Sequence, residues 1–196
     1  MFRARNGNSI HYGDDRVDRR LSHVTSRQRV TVAATAATSP GMAQTKTKKA
    51  RSGNARSAAR LAAVQALYQR EMAGGTVPGL LTEFHNHRLG ATIEDEQYRP
   101  ADATFFDDVV AGVAARSSEI DALITAHLAD GWAIDRLDRP LRGLLRAGVY
   151  ELIARPDVPT AAVIDEYMDV ANAFYDAREA GFVNGLLDAV ARAARG

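Results

Sequence analysis

The stretch that decides the fold runs from Asp138 to Leu152 and reads Asp-Arg-Pro-Leu-Arg-Gly-Leu-Leu-Arg-Ala-Gly-Val-Tyr-Glu-Leu. Its apolar residues recur at intervals of three and four, which is the period of one face of an α-helix. They are Leu141, Leu144, Leu145, Gly148, Val149 and Leu152. An aspartate before Arg139-Pro140 is typical of a helix N-cap, because its carboxylate accepts hydrogen bonds from free backbone amides. The stretch therefore predicts an amphipathic helix that starts at Asp138.

The same helical period continues through the rest of the chain beyond residue 54. We expect helices over Ala55–Met72, from Pro78 to about Leu89, over Ala103–Arg116, after an N-cap at Ser117-Ser118, after Pro159, and around Phe182–Val190. Gly74-Gly75 and Gly90 are typical helix stops, and the acidic residues 91–101 predict a surface loop. The sequence shows no strand pattern and no fixed-period repeat. The expected fold class is therefore all-α, a compact bundle of about seven helices.

The composition excludes several kinds of chemistry. There is no cysteine, so disulfides, thiolate nucleophiles and cysteine-ligated metals are ruled out. His85 and His87 stand two apart, which on a helix turns their side chains away from each other and argues against a shared metal ion. No phosphate-binding glycine loop, nucleophile elbow or dinucleotide fingerprint is visible. We therefore expect no catalytic site, no metal and no cofactor, and no apolar run is long enough for a membrane helix.

The charge of the chain is unevenly distributed. Residues 1–50 carry ten Lys and Arg against three Asp, a formal charge of +7, whereas the remainder carries −6. Residues 1–45 have neither helical nor strand period, so we interpret residues 1–49 as a basic, disordered N-terminal extension of a helical domain over residues 50–196. A twin-arginine signal at Arg19-Arg20, an organelle transit peptide and a translation start at Met42 are alternatives for the beginning, and the last is favoured.

A basic and aromatic line marks the start of the first predicted helix. Arg56 and Arg60 are four residues apart and share a face, and Tyr68 continues the same line. Lys48, Lys49 and Arg51 lie just upstream. Arginine binds phosphate in a bidentate fashion and tyrosine offers a stacking surface for an unpaired base, so the pattern favours nucleic-acid binding. Arginines are also common at helix starts and Tyr68 fits a core position, so the residues alone leave both interpretations open.

Five short motifs occur in an order that resembles the NusB family of transcription antitermination factors, from about Ala55 to Arg192. They are Ala63-Val64-Gln65-Ala66-Leu67-Tyr68, Val149-Tyr150-Glu151-Leu152, Asp157-Val158-Pro159, Val163-Ile164-Asp165-Glu166 and Phe182-Val183-Asn184-Gly185-Leu186-Leu187-Asp188. The resemblance implies two packed three-helix-type subdomains and a cytoplasmic factor without catalysis. It also implies binding of the single-stranded boxA element of nascent RNA together with NusE, a small-subunit ribosomal protein. That complex would join RNA polymerase and suppress termination, chiefly on ribosomal RNA operons.

The resemblance also implies roles for particular residues. The RNA-binding candidates are Lys48, Lys49, Arg51, Arg56, Arg60, Tyr68, Phe174 and Phe182. NusE would be expected on the helix that begins near Leu141 and Arg142. Asn184 and Gly185 would serve a turn and helix packing.

The sequence departs from the family pattern at several positions. Ser57 and Ala58 stand where many members carry arginine, and Glu179 and Gly181 stand where Ser and Lys are frequent. Leu141 replaces an acidic residue, and Asp165 replaces an asparagine.

Two other functions are alternatives to antitermination. The chain could be a homodimeric helical interaction protein, or a detached RNA-binding accessory domain of a ribosomal RNA methyltransferase.

Overall fold

The computed structural model describes residues 55–89 and 101–196 in full, together with the backbone of residues 43–54, 92–93 and 96–97. Across these residues the chain forms seven α-helices: α1 (Ala43–Ala73), α2 (Val77–His87), α3 (Ala103–Ala115), α4 (Ser117–Ala126), α5 (Arg139–Ala154), α6 (Thr160–Phe174) and α7 (Ala177–Arg195). A 3₁₀ turn at Ile134–Arg136 precedes α5. The two-residue strands β1 (Thr92–Ile93) and β2 (Glu96–Gln97) pair antiparallel in the predicted loop. The prediction of an all-α fold is confirmed.

Local signals explain where several helices begin and end. The Asp138 carboxylate accepts a hydrogen bond of 3.2 Å from the Leu141 amide, so the predicted N-cap of α5 is confirmed. Helix α1 ends directly before Gly74 and Gly75, whose φ angles of 73° and 100° strongly favour glycine. The predicted cap at Ser117-Ser118 is wrong. Helix α4 already begins at Ser117, and the residue at its cap is Arg116, which makes no side-chain cap.

Helix α1 begins at Ala43 rather than at Ala55. The predicted end of the disordered extension, residue 49, therefore falls within a helix. The predictions about residues 1–41 lie outside the described residues. The side chains of Lys48, Lys49 and Arg51 also lie outside them, so their implied RNA contacts stay predictions.

The helices form two groups of three that share α5 as a common support. Helices α1, α2 and α3 pack on one another, and α5, α6 and α7 form the second group. Helix α5 also packs against α1, α3 and α4, and its side chains Leu144 and Leu145 are fully buried. At Gly148 a Cβ would lie 2.9 Å from Leu187 and 3.5 Å from Tyr167, so the absence of a side chain lets α6 and α7 approach α5 closely. The two three-helix subdomains are therefore confirmed.

The length and hydropathy of the helices bear on the expectation that the chain has no membrane helix. In the described part of the chain, no helix combines the length and the apolar character that spanning a bilayer requires.

Candidate nucleic-acid interface

The start of α1 brings two predicted arginines onto one aromatic ring. The guanidinium carbons of Arg56 and Arg60 lie 5.3 and 5.0 Å from the centre of the Phe105 ring, on α3. Arg155, at the end of α5, approaches the same ring at 5.2 Å. Cations favour the electron-rich face of an aromatic ring, so this contact helps to hold α1 against α3. Part of the shared arginine face is thus turned towards the protein.

Arg60 is almost completely enclosed, with 3% of its surface exposed. Its Nε and Nη2 donate to the two carboxylate oxygens of Glu151 at 2.9 and 2.6 Å, and Nη1 lies 3.2 Å from Glu166. Burial works against the charged form, but the hydrogen bonds and the charge of Glu151 outweigh it and raise the pKa of Arg60. The guanidinium therefore pairs with two carboxylates of the protein. In this geometry it is not available to an RNA phosphate.

Arg56 is placed differently, because about a third of its side chain is exposed. Its Nε lies 3.7 Å from the carboxylate of Asp102, the N-cap of α3. That Nε has no hydrogen-bond partner within the described residues. Of the two predicted arginines, Arg56 is the one that reaches solvent at the start of α1.

The predicted aromatic residues lie on three helices, with Tyr68 on α1, Phe174 at the end of α6 and Phe182 on α7. Tyr68 and Phe182 are partly exposed, whereas Phe174 is buried. The hydroxyl of Tyr175, the residue after Phe174, lies 3.3 Å from the nearer Asp138 oxygen, and desolvation together with that charge raises the pKa of Tyr175. Tyr68 is close enough to contribute to the same shift. The junction of α6 and α7 therefore lies beside Tyr68, although Arg56 has no described contact with it.

The predicted partner residues at the start of α5 are enclosed. Leu141 and Arg142 are 6% and 9% exposed, and Arg142 pairs with Glu71 and Asp135. In this geometry the two residues are therefore not available for the contact with a partner protein that the resemblance implies.

Among the described residues, two large apolar side chains are exposed: Met72 near the end of α1 and Trp132 in the loop before α5. Their exposures are 41% and 55%, and Arg139 donates a hydrogen bond to the sulfur of Met72. Neither residue is among the sequence-based candidates. The isolated tryptophan next to a glycine, Gly131-Trp132, is the sequence signal that could have found this position.

His85 serves a contact between helices. Its Nε2 lies 2.6 Å from the Asp107 carboxylate on α3, and its ring meets the edge of Phe106. Within the described residues no cluster of His, Asp and Glu is arranged to hold a metal ion.

Two interpretations of α7 need correction. Asn184 and Gly185 serve neither a turn nor packing, because both are exposed in the middle of the helix and nothing lies within 4 Å of a Cβ placed on Gly185. Glu179, a departure from the family pattern, closes a capping box with Asp176, in which the Asp176 carboxylate accepts from the Glu179 amide at 3.1 Å. The Asp-x-x-Glu spacing was the available signal for this cap.

Fold and surface together define an all-helical protein with a candidate nucleic-acid interface at the start of α1 and the α6–α7 junction. Residues 57–192 match the NusB family model. The chain is 64% identical to the transcription antitermination protein NusB of Sphingopyxis alaskensis over 71% of this chain and 94% of that protein. The corresponding protein of Novosphingobium aromaticivorans is 63% identical, over 74% and 97%. The chain belongs to the NusB family.

Solved structures agree with this assignment. T. maritima NusB is 28% identical, with a TM-score of 0.57 over 70% of this chain and 90% of that one. A complex of the antitermination factors NusB and NusE with double-stranded RNA contains a chain that is 27% identical, with a TM-score of 0.58 over 70% and 96%.

Proposed function

We propose that the chain is a transcription antitermination factor that binds single-stranded boxA-type RNA together with NusE and acts on RNA polymerase at ribosomal RNA operons. The observation that carries this proposal is the identity of 64% over nearly the whole length of a NusB antitermination protein. The solved NusB–NusE–RNA complex supports both classes of partner.

The described residues favour an RNA surface that runs along Arg56, Tyr68 and Phe182. Arg56 supplies a guanidinium at the solvent boundary, and the two aromatic residues are partly exposed. A planar ring suits an unpaired base, which is why we propose single-stranded RNA as the ligand. Arg60 would act on this surface indirectly, by holding α1 to α5 and α6 through Glu151 and Glu166.

NusE would meet the end of the bundle where α5 begins. Because Leu141 and Arg142 are enclosed there, we place the contact on the exposed residues Met72 and Arg139, which touch each other, and on the exposed Trp132 in the loop before α5. Tryptophan and arginine are among the residues that contribute most to protein interfaces.

Fluorescence anisotropy of a labelled boxA RNA tests the RNA part of the proposal, with and without NusE and at several salt concentrations. A site with four phosphate contacts predicts a log–log salt slope of about −3, since each contact on a single strand contributes roughly 0.7. We expect a preference over a scrambled RNA and tighter binding with NusE. Binding that ignores both the sequence and NusE would overturn the proposal.

Two variants test the NusE end. Met72→Glu and Trp132→Ala should reduce the tightening by NusE while the affinity for RNA alone stays constant. Ala111→Glu, at an exposed position of α3, is the control for the added charge. Unchanged NusE enhancement in both variants would contradict this placement.

A further inference from the structure

Asp102 connects α1 to α3 through its backbone and through both oxygens of its side chain. Its amide donates to the Ala55 carbonyl at 3.0 Å, which ties the start of α3 to the residue before Arg56. Its Oδ1 accepts from the Phe105 amide at 3.0 Å as the N-cap of α3, and its Oδ2 lies 3.7 Å from the Nε of Arg56. One carboxylate therefore caps the helix that carries Phe105 and also faces the cation that lies over that ring.

The contact between Asp102 and Arg56 is of a kind that another anion can replace. A separation of 3.7 Å is too long for a hydrogen bond, and about a third of each side chain is exposed. The Nε of Arg56 has no hydrogen-bond partner within the described residues. Arg60, by contrast, donates to both oxygens of Glu151 at 2.6 and 2.9 Å and is enclosed. A phosphate can accept from Arg56 the short, bidentate hydrogen bonds that its contact with Asp102 lacks.

The Phe105 ring keeps the Arg56 guanidinium in place during such an exchange. The central carbon of the guanidinium lies 5.3 Å from the centre of the ring. The attraction of a cation to a ring face is electrostatic and requires no hydrogen bond. It therefore persists whether the donors of Arg56 face a carboxylate or a phosphate.

A second carboxylate near Arg56, that of Asp157, is already paired. Hydrogen bonds from Arg155 are the main cause of the lowered pKa of Asp157, and the charge of Arg56 contributes to the same shift. Both oxygens of Asp157 accept from Arg155, at 2.9 and 3.0 Å. Of the two carboxylates, Asp102 is therefore the one whose partner is Arg56.

We propose that Asp102 is an internal competitor of RNA for Arg56. Its carboxylate neutralises the guanidinium in the free protein, and an RNA phosphate takes its place in the complex. This inference rests on the proposed function and concerns the regulation of the same surface. Because a phosphate contact does not depend on sequence, the exchange lowers the affinity for every RNA alike. The binding that remains depends more strongly on contacts with the bases and on NusE.

Asp102→Asn tests the competition, because asparagine is as good an N-cap as aspartate but carries no charge. In anisotropy titrations at low salt, the variant should bind boxA RNA about threefold more tightly, which is the size of one exposed ion pair. A scrambled RNA of the same length should gain by the same factor. The gain should shrink as the salt concentration rises, because ions screen the pair that is lost.

A double-mutant cycle with Arg56 separates direct competition from a general effect of charge. In the Arg56→Gln background, Asp102→Asn should give no gain in affinity, because no guanidinium is left to release. Asp107→Asn is the control for the lost charge. Its carboxylate is also exposed on α3, but it faces His85, so RNA affinity should stay nearly unchanged in both backgrounds.

The outcomes separate this inference from the proposed function. An affinity of Asp102→Asn equal to or below that of the unmodified protein would overturn the competition and leave the proposed function intact. A gain that persists in the Arg56→Gln background would overturn it as well. Asp102→Ser, also a good N-cap, replaces Asp102→Asn in both titrations if the latter lowers the thermal midpoint by more than a few degrees. If the unmodified chain shows no boxA binding, both proposals fail.

Discussion

The guanidinium of Arg60 lies between the carboxylates of Glu151 and Glu166. Its role is therefore in stability, whereas the role that we propose for Arg56, one turn earlier, is in RNA binding. Arg60→Ala should lower the free energy of unfolding by about 3–5 kcal/mol, because it leaves the fully buried Glu151 without its partner. Urea unfolding followed by circular dichroism measures this loss.

Arg56→Ala serves as the matched variant. Its ion pair with Asp102 is partly exposed, and its contact with the Phe105 ring adds about 0.5–1 kcal/mol, so the cost to stability should stay below about 2 kcal/mol, while RNA affinity should fall. Equal losses of stability in the two variants would contradict the distinction drawn from burial.

The contribution of Asp138, the N-cap of α5, to the stability of the fold depends on pH. Desolvation raises the pKa of Asp138 above its ordinary value of 3.8, against the opposing hydrogen bonds from Leu141 and Tyr175. The folded protein then keeps a proton that the unfolded chain has lost. The contribution of this group to stability should therefore be present below pH 3.8 and fall as the pH rises through the raised pKa.

Asp138→Asn tests this expectation because asparagine is also a good N-cap but does not titrate here. The thermal midpoint of Asp138→Asn relative to the unmodified protein should rise between about pH 4 and about pH 7. A difference that stays constant over this range would show that the carboxyl does not titrate as expected.

At the scale of helices, the side chain of Arg195 at the end of α7 caps the C-terminal end of α5. Its guanidinium donates to the carbonyl oxygens of Leu152 at 2.6 Å, Glu151 at 3.0 Å and Arg155 at 2.9 Å, and also to that of Val158 at 2.7 Å. The carbonyls of Glu151 and Arg155 also accept from the backbone amides of Arg155 and Val158, so the oxygens that depend on Arg195 are those of Leu152 and Val158.

Arg195→Ala should lower the free energy of unfolding by roughly 1–3 kcal/mol, since it leaves partly buried carbonyls unpaired. Arg195→Lys should recover only part of the loss, because an ammonium group cannot reach all of these acceptors at once. Thermal unfolding of both variants provides the measurement. Equal stability of Arg195→Lys and the unmodified protein would contradict the multiple-acceptor geometry.

The helices themselves were predictable from sequence because their apolar period is local. The N-cap at Asp138 and the stop at Gly74-Gly75 depend on residues within a few positions of each other. The role of Arg60 was not predictable, because its partner Glu151 lies 91 residues away and a pairing over that distance leaves no local pattern. Spacing showed that Arg56 and Arg60 share a face, but not that α3 covers part of it.

At the scale of the whole molecule, α5 connects the two helix groups through one continuous core. The groups should therefore unfold together, although each contains three helices. Trp132, the only tryptophan, lies in the loop before α5, and its fluorescence midpoint in urea should coincide with the midpoint from helical circular dichroism.

Gly148→Ala extends this test, because the added Cβ would press on Leu187 and Tyr167. It should lower both midpoints by the same amount. A shift of one midpoint without the other would indicate that the two groups unfold independently.

Helix α1 begins among the only lysines of the chain, Lys46, Lys48 and Lys49. Amine-directed reagents therefore have no side-chain target anywhere in the remainder of the molecule. A succinimidyl dye would label this one turn and the α-amino group of the chain, and leave the side chains of the other helices unmodified. A lysine-reactive cross-linker would likewise join, through side chains, only those molecules that come close to the front of α1, which makes the chain suited to mapping its neighbours in a transcribing assembly.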